Sequence, residues 1–85
     1  MEIQSRAIVP AHPLQGDIVI HQLPRWGVTA AYLLARVGRR SHTVYSTYVQ
    51  ALAHAERQAL MTGADVWYTS DDHVFNRLAQ HRHPA

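Results

Sequence analysis

The charged and titratable side chains that could carry chemistry in this 85-residue chain are chiefly seven histidines, six carboxylates and eight arginines, and the chain contains no cysteine and no lysine. The carboxylates are Glu2, Asp17, Glu56, Asp65, Asp71 and Asp72. None of their spacings by itself predicts a general acid paired with a general base. The Asp71-Asp72-His73 run resembles an acid–base cluster, but such a run is typical of a turn or a helix cap. With neither a nucleophile elbow nor a phosphate-binding glycine loop, we expect no enzymatic activity.

The histidines raise the question of a metal site. His81 and His83 form an H-x-H pair in the C-terminal tail and are weak candidates for a divalent metal. A structural zinc site needs four preorganised ligands, commonly including cysteine. The sequence therefore predicts no metal site and no cofactor.

Four arginines are the candidates for contacts with phosphate groups or with an acidic partner: Arg25, Arg36, Arg39 and Arg40. The last three cluster at the tip of a predicted hairpin, and Arg25 lies near the other end of the same strand. The alternative is a solvated turn whose charge keeps the protein soluble. A net charge of +2 does not by itself indicate nucleic acid binding.

The clearest element that positions these residues is a helix from Thr47 to Met61 or Thr62. Thr47 and Gln50 have the spacing of a capping box, and Gly63 is a typical left-handed C-terminal stop. Small residues recur every fourth position along this helix, which predicts close packing against a sheet. Short β-branched segments at 17–23, 41–46 and 65–69 are predicted strands.

Two segments have ambiguous patterns. Residues 25–38 alternate as a strand would, whereas residues 30–36 favour a helix by propensity, and residues 74–80 fit either element. Residues 37–49 also resemble the turn of a DNA-binding helix-turn-helix. That motif needs a small residue four positions before the turn glycine and apolar residues one and nine positions after it, but these positions hold Leu34, Arg39 and Thr47. We therefore favour a hairpin followed by a capped helix.

From Trp26 onward the chain resembles a small bacterial family of domains of unknown function. The family pattern is a W-x-V strand, a helix with T-x3-A-x3-A-x3-A, a buried strand and a D-G turn. The matching residues are Trp26, Val28, Thr47, Ala51, Ala55, Ala59, Val66, Tyr68, Asp72 and Phe75. The first hairpin is longer here, His73 replaces the turn glycine, and the segment before residue 16 has no match. The resemblance covers about two-thirds of the chain and implies a fold but no known activity.

The predicted fold is α+β, with an antiparallel three- to four-stranded sheet in β-β-β-α-β order and one long helix packed on one face. We expect an N-terminal arm at 1–15, a single domain at 16–80 and a flexible tail at 81–85. The helix covers one face of the sheet, so the other face is free for a partner or for a second copy. The predicted interface residues on that open face are Leu33, Tyr45 and Trp67. The alternative is that the C-terminal segment folds back over this face.

The sequence thus predicts a small non-enzymatic binding module that acts through its open sheet face, as a homodimer or on another protein. A phage- or mobile-element-encoded accessory protein that docks on a host protein would have this size. The alternative is a nucleic-acid-binding module that uses the arginine-rich hairpin 36–40, with Trp67 or Tyr45 stacking on bases. We expect no signal peptide, no membrane span and a cytoplasmic location.

Overall fold

A computed structural model of the chain describes residues 12–23 and 30–81. Its elements are β1 (Ile18–Gln22), β2 (Tyr32–Arg36), β3 (His42–Tyr45), α1 (Tyr48–Thr62), β4 (Val66–Thr69) and β5 (Asn76–Ala79). The five strands form one sheet, and α1 packs on one of its faces. The predicted α+β class is confirmed, but the sheet has five strands rather than three or four.

The sheet is mixed, so the prediction of a purely antiparallel sheet is wrong. The strand order is β3-β2-β1-β4-β5, and β1 pairs in parallel with β4 while the other neighbours are antiparallel. A helix that crosses the sheet between two strands returns the chain in its original direction, so β4 runs parallel to β3. Because β3 is also parallel to β1, β4 can join the free side of β1 only as a parallel neighbour.

The length of α1 matches this crossover. Its 15 residues extend about 22 Å. In the strand order, β4 lies three positions from β3, a separation of about 14 Å at the usual strand spacing. The helix can therefore carry the chain past β2 and β1 without a long connecting loop.

Each ambiguous segment contains a strand, and Trp26 and Val28 of the first segment lie outside the described residues. Residues 32–36 form β2, which pairs with β1 on one side and β3 on the other, and these two ladders outweigh the helical propensity of the segment. Residues 76–79 form β5. The helix-turn-helix interpretation is excluded, because Gly38 turns the chain between two strands. Its φ of 87° is in the left-handed region, and a Cβ there would lie 2.5 Å from Gln15 Nε2.

The ends of α1 follow the predicted capping. Thr47 Oγ1 accepts a hydrogen bond from the Gln50 backbone N–H at 3.2 Å. The side chain of Gln50 accepts from Ser46 Oγ at 3.4 Å, which differs from the predicted return bond to Thr47. Gly63 closes the helix with φ 73°, and its N–H donates to Ala59 O at 2.7 Å.

The small-residue stripe of α1 lies directly on the sheet. Ala51, Ala55 and Ala59 are all 0% exposed and form the helix side of the core. The sheet contributes apolar side chains from its central strands: Ile18, Ile20, Leu34 and Val66. Since alanine has only a Cβ, these positions allow a short distance between helix and sheet and leave no space for a larger side chain.

Replacing one alanine of this stripe tests the packing. We expect Ala55→Leu to lower the free energy of unfolding by about 1–3 kcal/mol, because the added carbons have no space between helix and sheet. The matched control is Ala53→Leu, two residues away on the exposed side of α1, which should stay within about 0.5 kcal/mol of the wild type. Urea unfolding followed by far-UV circular dichroism measures both. Equal stabilities would contradict the close approach of α1 to the sheet.

Candidate functional site

The face of the sheet opposite α1, called the far face below, is built by side chains that alternate with those of the core. The strand register aligns Val19 with Ala35 and Trp67, and it aligns His21 with Leu33. Their sequence neighbours belong to the core under α1, so these five side chains lie on the far face. The predicted positions of Leu33 and Trp67 on the side away from the helix agree with this register.

Trp67 is not open to solvent, however, and in this respect the prediction is wrong. Its side chain is 1% exposed. The indole Nε1–H donates to Asp17 Oδ2 at 3.1 Å, and the guanidinium carbon of Arg77 lies 4.7 Å from the ring centroid. The cation over the ring and the buried carboxylate at the indole N–H stabilise this large side chain in its buried position.

Tyr45 lies on the other side of the sheet from the position predicted for it. It pairs with Tyr32 and packs against the core under α1, with its ring centroid 4.9 Å from that of His54. The same register places Val44 beside Leu33 on the far face, where Val44 is 53% exposed. Val44 therefore occupies a far-face position of β3, and sequence reasoning missed this residue.

Three half-buried tyrosine rings pack against the core at the start of α1. The Tyr48 ring meets those of Tyr32 and Tyr68 edge to face, with centroids 5.9 and 5.5 Å away. The Tyr68 hydroxyl donates to Gln22 Oε1. Burial raises the pKa of both Tyr48 and Tyr68 above the ordinary tyrosine value. Both hydroxyls stay protonated at neutral pH, both rings contribute to packing, and the Tyr68 hydroxyl also makes a hydrogen bond.

A pocket of about 330 Å³ opens on the far face. It is lined by His12, Pro13, Val19, His21, Ala35, Arg36, Val37 and Phe75. The segment before β1 and the turn before β5 meet at this pocket, since the rings of His12 and Phe75 lie 6.0 Å apart in an edge-on arrangement. The volume is at the lower end of the range for ligand sites. Part of the far face is thus covered, by the predicted C-terminal segment and also by residues from the predicted N-terminal arm.

His21 and Asp72 form a pair beside this pocket that the sequence did not indicate. His21 Nδ1 lies 2.7 Å from Asp72 Oδ1, although the two residues are 51 positions apart. Asp72 has φ 63°, a conformation that aspartate tolerates better than most residues. A carboxylate on one ring nitrogen fixes the orientation of the imidazole, so His21 presents a fixed polar group at the pocket wall.

The predicted turn or cap at residues 71–73 is confirmed as a turn. Thr69 Oγ1 accepts from the backbone N–H of Asp72 at 2.9 Å. Asp71 Oδ1 accepts from the backbone N–H groups of Val74 at 3.0 Å and His73 at 2.9 Å. These two hydrogen bonds, with the one from Val74 as the largest contribution, hold the pKa of Asp71 below its ordinary value. The Asp71 carboxylate is therefore a turn cap.

The arginine positions are only partly described. Arg36 lines the pocket, and its Nε donates to Gly16 O at 3.3 Å. Arg39 and Arg40 are exposed in the turn that follows β2. Arg25 lies outside the described residues. Of the four predicted arginines, only Arg36 lines the pocket, and Arg39 and Arg40 share the exposed turn after β2.

The weak metal candidates are not brought into a site. The backbone N–H of His81 donates to Asp65 Oδ1 at 2.8 Å, and His83 lies outside the described residues. Within residues 12–23 and 30–81, no three side chains of His, Asp or Glu come together in a way that would hold a metal ion.

A buried carboxylate, Asp17, positions the far face. Asp17 is 0% exposed. Besides the Trp67 indole, it accepts hydrogen bonds from the backbone N–H of Leu14 at 3.0 Å and of Asp65 at 3.1 Å. It therefore fixes the segment that leads from the pocket into β1, and it joins the starts of β1 and β4. The sequence analysis places Asp17 at the start of the predicted strand 17–23, and neither its type nor its spacing indicated this role.

Comparisons of the chain with protein-family models, curated proteins and solved structures found no match. The resemblance to a bacterial family of unknown function therefore stays a prediction, as does a cytoplasmic location. Among the described residues, no helix has the length and apolar character needed to cross a membrane.

Asp17→Asn tests the role of the buried carboxylate. The amide nitrogen of Asn cannot accept a hydrogen bond, so at least one buried donor loses its partner. We expect the free energy of unfolding to fall by about 1–3 kcal/mol. The native tryptophan emission should also shift to longer wavelength, because Trp67 loses its hydrogen bond to the Asp17 carboxylate and becomes more exposed to water. Urea unfolding and fluorescence spectra measure the two effects, with Glu56→Gln on the exposed side of α1 as the control. Wild-type stability and emission in Asp17→Asn would show that the carboxylate is dispensable.

Proposed function

We propose that the protein is a non-enzymatic binding module whose far-face pocket receives an apolar side chain of a protein partner. The observation that carries this proposal is the pocket of about 330 Å³, walled by Val19, Ala35, Val37 and Phe75. A concave apolar site with a few polar groups at its wall is the usual form of a binding site. His21, oriented by Asp72, is such a polar group and suits a hydrogen bond to the partner's backbone.

The surface around the pocket supports a protein rather than a small molecule as the partner. Leu33 and the exposed Val44 continue the apolar far face on the β3 side. Val74, next to the pocket residue Phe75, is also exposed. Apolar side chains that extend beyond a pocket in this way add contact area for a second protein.

The charge near the pocket favours an acidic partner. Arg36 lines the pocket, and the exposed Arg39 and Arg40 follow in the adjoining turn. Carboxylates on the partner would pair with these guanidinium groups at the rim, which chiefly increases the association rate and the specificity. The expected ligand is a peptide segment with one large apolar side chain flanked by Asp or Glu.

Nucleic acid binding is the second candidate, and the exposed Arg39 and Arg40 are the observation in its favour. The two rings named for base stacking do not support it. Trp67 is buried beneath Arg77, and Tyr45 packs against His54 on the helix side of the sheet. A site restricted to two exposed arginines would bind phosphates without stacking bases, which gives weak and strongly salt-dependent binding.

Display selection of random peptides against the protein tests the pocket proposal. We expect enriched peptides with an aromatic or leucine anchor beside acidic residues. Ala35→Trp should fill the pocket and weaken their binding at least about tenfold, or about 1.4 kcal/mol. Ala53→Trp on the exposed side of α1 is the matched control and should bind as the wild type does. Fluorescence polarisation of the labelled peptides measures these affinities. If no selected peptide distinguishes the two variants, the pocket is not the binding site.

A separate titration tests the arginine turn. Labelled single- and double-stranded DNA and RNA oligonucleotides should show no saturable binding at moderate salt, whereas acidic peptides should bind more weakly to the Arg39→Ser, Arg40→Ser double variant. The physical reason is that two rim charges assist a peptide anchored in the pocket but do not by themselves hold a nucleic acid. Saturable oligonucleotide binding that the double variant abolishes would favour the second candidate instead.

A further inference from the structure

The strand order leaves β3 and β5 at the two edges of the described sheet. An edge strand has backbone N–H and C=O groups on its outer side that can pair with another strand. Proteins commonly block such pairing with charged side chains, proline or an irregular register. The two edges of this sheet differ in these features.

The β5 edge carries protective features. Arg77 lies within the strand, and the register between β4 and β5 shifts at Val66 and Trp67. A charged side chain and an irregular register both oppose the regular addition of another strand. The outer side of β5 is therefore poorly suited to pairing.

The β3 edge carries none of these features. Its residues, His42 to Tyr45, include no proline, arginine or carboxylate. Its pairing with β2 is continuous over four residue pairs without a bulge. Val44, at its centre, is 53% exposed although it is β-branched and apolar. β3 is thus a regular and uncharged edge with an apolar side chain that gains from burial.

We propose that β3 pairs antiparallel with β3 of a second copy of this chain, around a two-fold axis perpendicular to the sheet and passing between the two Val44 residues. Rotation about this axis leaves the α1-covered faces of both copies on the same side of the joined sheet. Residues that face each other across the new strand pair must therefore lie on the same face. Val44 then faces Val44 on the far side, and Thr43 faces Tyr45 on the helix side. Both are pairs of β-branched or aromatic residues, which stabilise neighbouring strands, and no like charges face each other.

The dimer would have one continuous sheet of ten strands, with both helices on one side and both far-face pockets on the other. This arrangement follows from the axis, which turns each copy within the plane of the sheet without inverting it. The two pockets would then be presented in the same direction, so a partner with two binding segments could engage both and gain avidity. The pairing of β3 does not depend on the binding role proposed for the pocket.

The oligomeric mass of the full chain, measured by size-exclusion chromatography with light scattering over a wide concentration range, tests this pairing. We expect twice the mass of the chain. Val44→Lys should give a monomer, because two lysines would face each other across the axis. Val49→Lys, on the exposed side of α1, introduces the same charge outside the proposed contact and should leave the dimer intact. Circular dichroism checks that both variants are folded. A wild-type monomer at all concentrations, or a Val44→Lys dimer, would overturn the proposal.

A disulfide trap provides a second and independent measurement, because the chain contains no cysteine. Facing side chains of antiparallel strands are close enough for a disulfide at a two-fold axis. Under mild oxidation, Val44→Cys should convert to a covalent dimer, and Val49→Cys should stay monomeric on a non-reducing gel. Equal cross-linking of the two variants, or none at residue 44, would exclude the register centred on Val44.

Discussion

The carboxylate of Asp17 joins parts of the chain that no local interaction connects. Its partner Asp65 is 48 positions away, at the start of the strand that lies parallel to β1. Antiparallel neighbours can be joined by a tight turn, whereas parallel neighbours require a crossover, here through α1. Because the carboxylate also accepts from Leu14 and from the Trp67 indole, one buried group sets the start of β1, the start of β4 and the position of the largest far-face side chain. A buried carboxylate is tolerated where several donors satisfy it.

The pocket depends on that junction. Asp17 holds the turn that follows His12 and Pro13, and these two residues reach one wall of the pocket. Trp67, which contacts both Asp17 and Arg77, is the neighbour of the pocket residue Val19 in the strand register. Phe75, whose ring meets that of His12 at the pocket, follows the turn held by the hydrogen bonds of Asp71. The apolar surface proposed to bind a partner is therefore held in place by the hydrogen bonds that the Asp17 and Asp71 carboxylates accept.

Local features of the fold were predictable from the sequence, and long-range ones were not. The caps and alanine spacing of α1 act within a few residues, so Thr47 and Gly63 located both ends of the helix. The face of Trp67 followed from simple alternation along β4. Its burial did not, because that depends on Asp17 and Arg77, which are distant or in a different strand. The face of Tyr45 depends on how the β2–β3 turn sets the register, and the spacing of residues does not determine this.

The parallel pairing of β1 with β4 also sets an order of events during synthesis. Ile18, Val19 and Ile20 are synthesised before the other strands, and β2 and β3 follow them in the chain before α1. The second neighbour of β1 follows only after the whole of α1 has been made. Until β4 has been made, β1 has no neighbour on that side, and the Asp17 carboxylate lacks the donors from Asp65 and Trp67. The nascent chain therefore cannot complete its native core before β4 has been synthesised.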